Sequence, residues 1–122
     1  MAYEDLTTQE EIEDLMSEDG GAAVIDFWSP TCGPCLAMAP DFAAVAEEMG
    51  EGSVKFCKVN TAEQPKLAGA FRIMSVPTML FVLNGEIVDS VVGRVDRQRL
   101  YKRAKWLEGK ADGKGLFARL FG

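Results

Sequence analysis

Residues 22–28 read AAVIDFW, an apolar run between turn residues, which predicts a strand covered on both faces with Asp26 as its one charge. SVKFCKVN (53–60) predicts a second buried strand. TMLFVL, then Asn84 and Gly85, then EIVDSVV predicts a hairpin closed by the strongest two-residue turn signal. Between these runs the period changes. Thr7 and Thr8, with Glu10 and Glu11 at capping-box spacing, precede Ile12, Leu15 and Met16, which predicts a short amphipathic helix ended by Gly20 and Gly21. After Pro30, the positions Ala39, Phe42, Ala43, Ala46 and Met49 predict a helix stopped at Gly50 and kinked at Pro40. AEQPKLAGAF (62–71) predicts a short helix, and Leu100, Ala104 and Leu107 mark a final one from about Asp96.

Strands alternating with helices, then a hairpin and a helix, predict an α/β fold with a mixed sheet sandwiched between helices. The chain has 122 residues, 48% of them apolar, enough for one domain with its own core. That domain is placed at residues 1–108. Residues 109–122, GKADGKGLFARLFG, form a Gly- and Lys-rich tail with an apolar end at Leu116, Phe117, Leu120 and Phe121. The tail is expected to pack back on the domain or fray, with a partner-docking segment as the alternative.

Charge and composition narrow the function classes. The net charge is −6, with no Lys or Arg before Lys55 and nine basic residues from Arg94 onward. Arg97, Lys102, Arg103 and Lys105 lie on a stretch with helical apolar spacing, so they read as a solvated face and nucleic acid is not an expected partner. No eighteen apolar residues occur in succession and the start shows no leader pattern, which predicts a soluble cytoplasmic protein with no membrane partner; a monomer is expected. The three cysteines are too few for a secreted disulfide framework.

The candidate chemistry lies in SPTCGPCLAMAP, where Gly33 and Pro34 separate Cys32 from Cys35. The pair could be redox-active, half of a metal site, or two small core residues. Zinc takes four ligands, and the chain has no histidine and only Cys57 as a further thiol, so no metal is expected. The pair follows a buried strand and opens a helix, where free N–H groups and the helix dipole favour a thiolate at Cys32. The dipole is worth about 0.3–1 kcal/mol, up to about 2 in sheltered geometry, which lowers a thiol pKa by about one unit. Cys35 lies one turn further along, within reach of Cys32 but less accessible. Gly33 permits close approach of a substrate, and Pro34 stiffens the turn where its missing N–H costs nothing. Asp26 could take the Cys35 proton if burial raises its pKa, or could be a carboxylate hydrogen-bonded in the core. Lys58 could moderate the charge of Asp26 or snorkel to the surface. Cys57 reads as a small core residue.

VIDFWSPTCGPCLAMAP, KVN, SVPTMLFVLNGE and VVGR, together with Pro40 and Gly93, occur in the order and nearly at the spacing of the thioredoxin family, which the chain resembles over residues 1 to about 108. The resemblance implies a thioredoxin fold, a central mixed sheet flanked by four helices. It implies a protein-disulfide reductase with Cys32 as nucleophile, Cys35 as resolving thiol, Asp26 as buried proton acceptor and Lys58 as its partner. It also implies a cis Val76–Pro77 bond and a shallow substrate groove formed by Trp28, Gly33, Pro34, Val76, Pro77 and Gly93. The implied partners are disulfide-containing proteins and thioredoxin reductase, with no cofactor beyond the Cys32–Cys35 disulfide. Two positions depart from the family: Thr31 stands where Trp is usual, and Leu36 where Lys is usual. The first removes apolar contact area at the groove rim. The second removes a cation worth tenths of a kcal/mol to an exposed thiolate. Two alternatives follow, a specialised protein with a dedicated partner or reductase, and a non-catalytic binding subunit of the same fold.

Overall fold

The computed structural model of the chain describes residues 2–121, with side chains described as far as Gly113. Within these, the elements are β1 (Tyr3–Asp5), α1 (Gln9–Leu15), β2 (Ala22–Trp28), α2 (Gly33–Glu48), β3 (Val54–Asn60), α3 (Pro65–Ala70), β4 (Thr78–Leu83), β5 (Glu86–Val92) and α4 (Arg97–Phe121). The sheet order is β1-β3-β2-β4-β5. β1 and β2 pair parallel with β3, whereas β4 pairs antiparallel with β2 and β5 antiparallel with β4. A mixed sheet with four helices is therefore the observed architecture.

Side-chain alternation along β2 separates two cores. Ala22 and Val24 pack with Met38, Phe42 and Val45 of α2 and Leu100, Ala104 and Leu107 of α4. Ala23, Ile25 and Phe27 pack on the other face with Ile12, Leu15, Leu67 and Ala68 of α1 and α3. Both faces are covered, which is why β2 reads as a continuous apolar run. Asp26 shares the parity of Val24, so it belongs to the α2 side of the sheet.

Local chemistry sets the element ends. Thr8 caps α1: its side chain accepts the Glu11 N–H at 3.1 Å, and Glu11 Oε1 accepts the Thr8 N–H at 3.1 Å. Thr8→Ala is expected to lower stability by about 1 kcal/mol, read as a reduced urea midpoint with an unchanged slope. α1 ends at Leu15, before the two glycines expected to stop it, because the Ser17 hydroxyl bonds the Asp14 carbonyl at 2.8 Å and competes with another helical turn. The hairpin turn is as expected, with positive φ at both Asn84 (50°) and Gly85 (84°). α2 runs as one helix from Gly33 to Glu48 across Pro40, whose nitrogen has no hydrogen to donate to the Leu36 carbonyl. β1 is an addition: three residues paired to β3 that the hydrophobic pattern does not show.

α4 continues as helix through the Gly- and Lys-rich stretch to Phe121. Ala111 packs on the core and Asp112 accepts the Ser53 hydroxyl at 2.8 Å. How Leu116, Phe117, Leu120 and Phe121 pack lies outside the described side chains.

Candidate active site

β2 ends at Trp28, and the chain turns through Ser29–Thr31 into α2 with Cys32 as its N-cap, φ −95° and ψ 107°. A sulfur here takes the place of the usual capping oxygen. The Cys35 N–H donates to Cys32 Sγ at 3.2 Å, one of the orphan donors at a helix start. Cys32 and Cys35 form a disulfide with Cα atoms 5.2 Å apart. Cys32 is half-buried, whereas Cys35 is 2% exposed. The two sulfurs therefore differ in access, and the one that meets solvent also receives the N–H.

The loop before β4 faces this pair. The Val76–Pro77 peptide bond is cis, as the resemblance implies. The Val76 carbonyl oxygen lies 3.7 Å from Cys32 Sγ, a van der Waals contact, since a disulfide sulfur carries no hydrogen to donate. The loop is pinned by Thr78 Oγ1 donating to the Ser75 carbonyl at 2.8 Å and by the Gly93 N–H donating to the Pro77 carbonyl at 2.8 Å. Gly93 has φ 97°, a conformation that favours glycine at that approach. Thr31, Gly33 and Pro34 form an exposed rim, and Leu36 beside them is 51% exposed. Met74, in the facing loop, is 94% exposed and was not among the sequence candidates. No periodic pattern surrounds it that could have marked it.

Beneath the disulfide side of the sheet, Asp26 is fully buried and neither carboxylate oxygen has a hydrogen-bond partner. No protein group therefore hydrogen-bonds this carboxylate. Lys58, opposite Asp26 in the β2–β3 register, brings Nζ to 3.9 Å from Oδ2, too far for a hydrogen bond. Burial raises the Asp26 pKa from its ordinary 3.8 to about 6, with Lys58 pulling it partly back. Lys58 is itself 6% exposed, so it does not snorkel freely. Its ammonium sits 4.7 Å from the Trp28 ring centroid, 5.3 Å from Tyr3 and 5.8 Å from Phe42. Three ring faces thus hold a cation beside the unpartnered carboxylate. Phe42 was visible in sequence only as a helix core position, and Tyr3 belongs to the strand the pattern missed.

Trp28 is fixed through its backbone, whose carbonyl accepts from the Thr61 N–H at 2.8 Å and the Thr61 hydroxyl at 3.1 Å. A cleft of about 330 Å³, lined in part by Thr7, Trp28, Lys58, Asn60 and Glu63, opens beside the Lys58 side chain. Cys57 shares the parity of Val59 and faces the α1 and α3 core. Burial pushes its thiol up to about 12, so it stays protonated. Among the described residues, no group of three or more His, Cys, Asp or Glu could hold a metal ion.

The thioredoxin family model matches residues 4–106. The chain belongs to the thioredoxin family. It is 43% identical over 77 residues to the thioredoxin of Porphyra purpurea, covering 63% of this chain and 71% of that one. It is 38% identical over 80 residues to that of Listeria monocytogenes, covering 66% and 77%. The crystal structure of Malassezia sympodialis thioredoxin superposes with a TM-score of 0.78 at 30% identity, covering 87% of this chain and 90% of that one. Like other thioredoxins, the protein is a thiol–disulfide oxidoreductase that reduces protein disulfides by exchange through Cys32 and Cys35. Family members in general act on disulfide substrates and are reduced by thioredoxin reductase.

Proposed function

We propose that Cys32 is the attacking thiol and Cys35 the resolving one, in a cytoplasmic, monomeric reductase that uses no group beyond its own disulfide. The observation that carries this is the Cys35 N–H donated to Cys32 Sγ at a half-open helix start, with the other sulfur buried. In the reduced protein that N–H and the helix dipole stabilise a thiolate at Cys32. The thiolate attacks a substrate disulfide, forming the Cys32–substrate bond and releasing one substrate thiolate. Cys35 then gives its proton to Asp26 and attacks Cys32 Sγ, closing the disulfide and expelling the second substrate thiolate. Two electrons pass to the substrate, and a separate reductase restores them. A reducing compartment suits this cycle, which supports the cytoplasm.

Substrate contact is assigned to Trp28, Thr31, Gly33, Pro34, Val76, Pro77 and Gly93, with a substrate strand pairing at the Val76 backbone. Residues 1–108 are the catalytic unit and 109–122 an appended segment.

Thr31, Leu36 and the exposed Met74 favour a second reading, a protein adapted to a dedicated partner or reductase. Steady-state assays with insulin and ordinary thioredoxin reductase separate the two. The adapted reading predicts a low kcat/KM that Thr31→Trp with Leu36→Lys raises severalfold. Efficient turnover by the unmodified protein overturns that reading and leaves the general one.

A further inference from the structure

A groove between β5 and α4 takes no part in the redox site. It has a volume of about 450 Å³ and is lined by Val88 and Asp89 of β5 and by Lys102, Arg103 and Trp106 of α4. β5 is the edge strand of the sheet, and its register slips against β4: Ile87 pairs with Val82 and Asp89 with Phe81, so Val88 has no partner. Such a bulge bends the strand and re-aims its side chains. Here Val88 packs on the core and floors the groove, while Asp89 reaches across to pair with Arg103.

The α4 wall of the groove is charged on one side only. At 100° per residue with Trp106 as origin, Arg99, Lys102, Arg103 and Lys110 all fall within about 60°. Glu108 and Asp112, the acidic residues of the helix, fall at about 200° and 240°, and the core stripe Leu100, Ala104, Leu107 and Ala111 at about 130°. Among the described residues, Arg97, Arg103 and Lys105 of this helix each pair with a carboxylate, whereas Arg99, Lys102 and Lys110 pair with none. The unpaired cations therefore share the sector of Trp106. That indole is 44% exposed and carries Lys110 Nζ 5.1 Å from its ring centroid. An open tryptophan ringed by cations beside an aliphatic floor is the composition of a protein-binding hot spot.

We propose that this groove docks an acidic segment of a partner protein. One apolar side chain of the segment enters beside Trp106 and Val88, and its carboxylates meet Lys102, Lys110 and Arg99. The charge pattern selects the sign of the partner. The chain carries a net charge of −6, so an acidic segment is repelled by most of the surface and attracted where unpaired cations gather. Nucleic acid fits less well, because three unpaired cations neutralise few phosphates and the remaining charge opposes a long polyanion. A bilayer takes a protruding apolar face, whereas this indole stands in the wall of a groove. A second copy offers exposed acid on α1, at Glu10, Glu13 and Asp14, but no exposed large apolar side chain of that helix to fill the groove. A small ligand is buried over most of its surface in its site, and a groove this open does not do that.

The groove lies close to the redox site without belonging to it. Asp89 is about 10 Å along β5 from Val92, which pairs with Thr78 next to the cis-bonded Pro77. None of the residues assigned to substrate contact lines the groove. Docking there leaves Cys32 open, and the proposal does not rest on the roles given to the two cysteines.

Fluorescence anisotropy of the full chain with a fluorescein-labelled peptide, in which acidic residues flank one phenylalanine, tests the proposal. The expected result is saturable binding that weakens about tenfold or more between about 50 and about 500 mM salt. Lys102→Glu with Lys110→Glu should weaken it about tenfold or more, with insulin reduction unchanged. Lys55→Glu with Lys66→Glu makes the same charge change on other exposed surfaces and should alter the affinity by less than about threefold. A peptide with serine in place of phenylalanine should bind about tenfold more weakly. Absence of saturable binding up to about 1 mM peptide overturns the proposal, as do equal losses in the two double variants or equal binding of the serine peptide. Tighter binding of a single-stranded oligonucleotide or of phosphatidylglycerol vesicles through Lys102 and Lys110 assigns the face to that polyanion and overturns it as well. A dimer in light scattering that the Lys102 and Lys110 substitutions dissolve, without peptide binding, assigns it to a second copy with the same consequence.

Discussion

Cys35→Ser protein given an excess of a disulfide substrate is expected to stop at a covalent adduct on Cys32, visible as a mass increase that dithiothreitol reverses. In the unmodified protein the resolving thiol sits on the next turn of α2, with Cα atoms 5.2 Å apart, and needs no diffusion to reach the mixed disulfide. Intramolecular attack of this kind has an effective concentration of roughly 10⁵ M or more, against millimolar external thiol once Cys35 is gone. The adduct should therefore persist long enough to identify the substrates it holds. Cys32→Ser is expected to form no adduct and to lower insulin reduction by at least about a thousandfold, because Cys35 is 2% exposed and cannot take over the attack. A non-catalytic subunit of the same fold predicts the opposite: neither serine variant changes the biological role. An adduct on Cys35 in the Cys32→Ser protein would exchange the two roles assigned here.

Much of this site could be read before any coordinates, for physical reasons that differ from residue to residue. Cys32 and Cys35 were legible because helix-start chemistry is local: a strand end, a turn and a proline-bearing first turn lie within ten residues of sequence. Asn84–Gly85 was legible because few residue pairs accept positive φ at both positions. β1 was not, since three residues, Tyr3–Asp5, have too short a run for a period, and only pairing with β3 makes them a strand. The state of Lys58 is not legible in the sequence for a related reason. Its burial depends on Tyr3, Trp28 and Phe42 converging from three elements, and no spacing along the chain encodes that meeting. Cis Val76–Pro77 and the groove came from family resemblance rather than pattern, because the loop holding Met74 and Val76 has no periodicity of its own.

Replacing Asp26 by Asn is expected to stabilise the protein at pH 7 and slow its chemistry there, and the two effects have one cause. The carboxylate is buried without a hydrogen bond from any protein group, and its pKa rises from 3.8 to about 6 because Lys58 at 3.9 Å does not offset the lost hydration. The folded state thus holds the Asp26 proton more tightly than the unfolded state does. Its contribution to stability is fully present below pH 4 and is lost as pH rises through about 6, which leaves a deficit of about 3 kcal/mol at pH 7. Asparagine has the shape of the protonated acid and does not ionise, so Asp26→Asn should recover about that amount at pH 7 and nothing at pH 3.5. Urea unfolding at the two pH values measures it, and an equal effect at both would mean that packing, not ionisation, is responsible. The same ionisation supplies the proton acceptor. Resolution of the mixed disulfide in the unmodified protein should accelerate as pH passes 6, whereas the variant should be about a hundredfold slower at pH 7. Its rate should climb only toward the ordinary thiol pKa of about 8.5. Single-turnover rates that match between pH 6 and 9 would leave Asp26 a destabilising charge with no part in the reaction. A shifted profile would show that the stability lost to this carboxylate is what makes it a base at working pH.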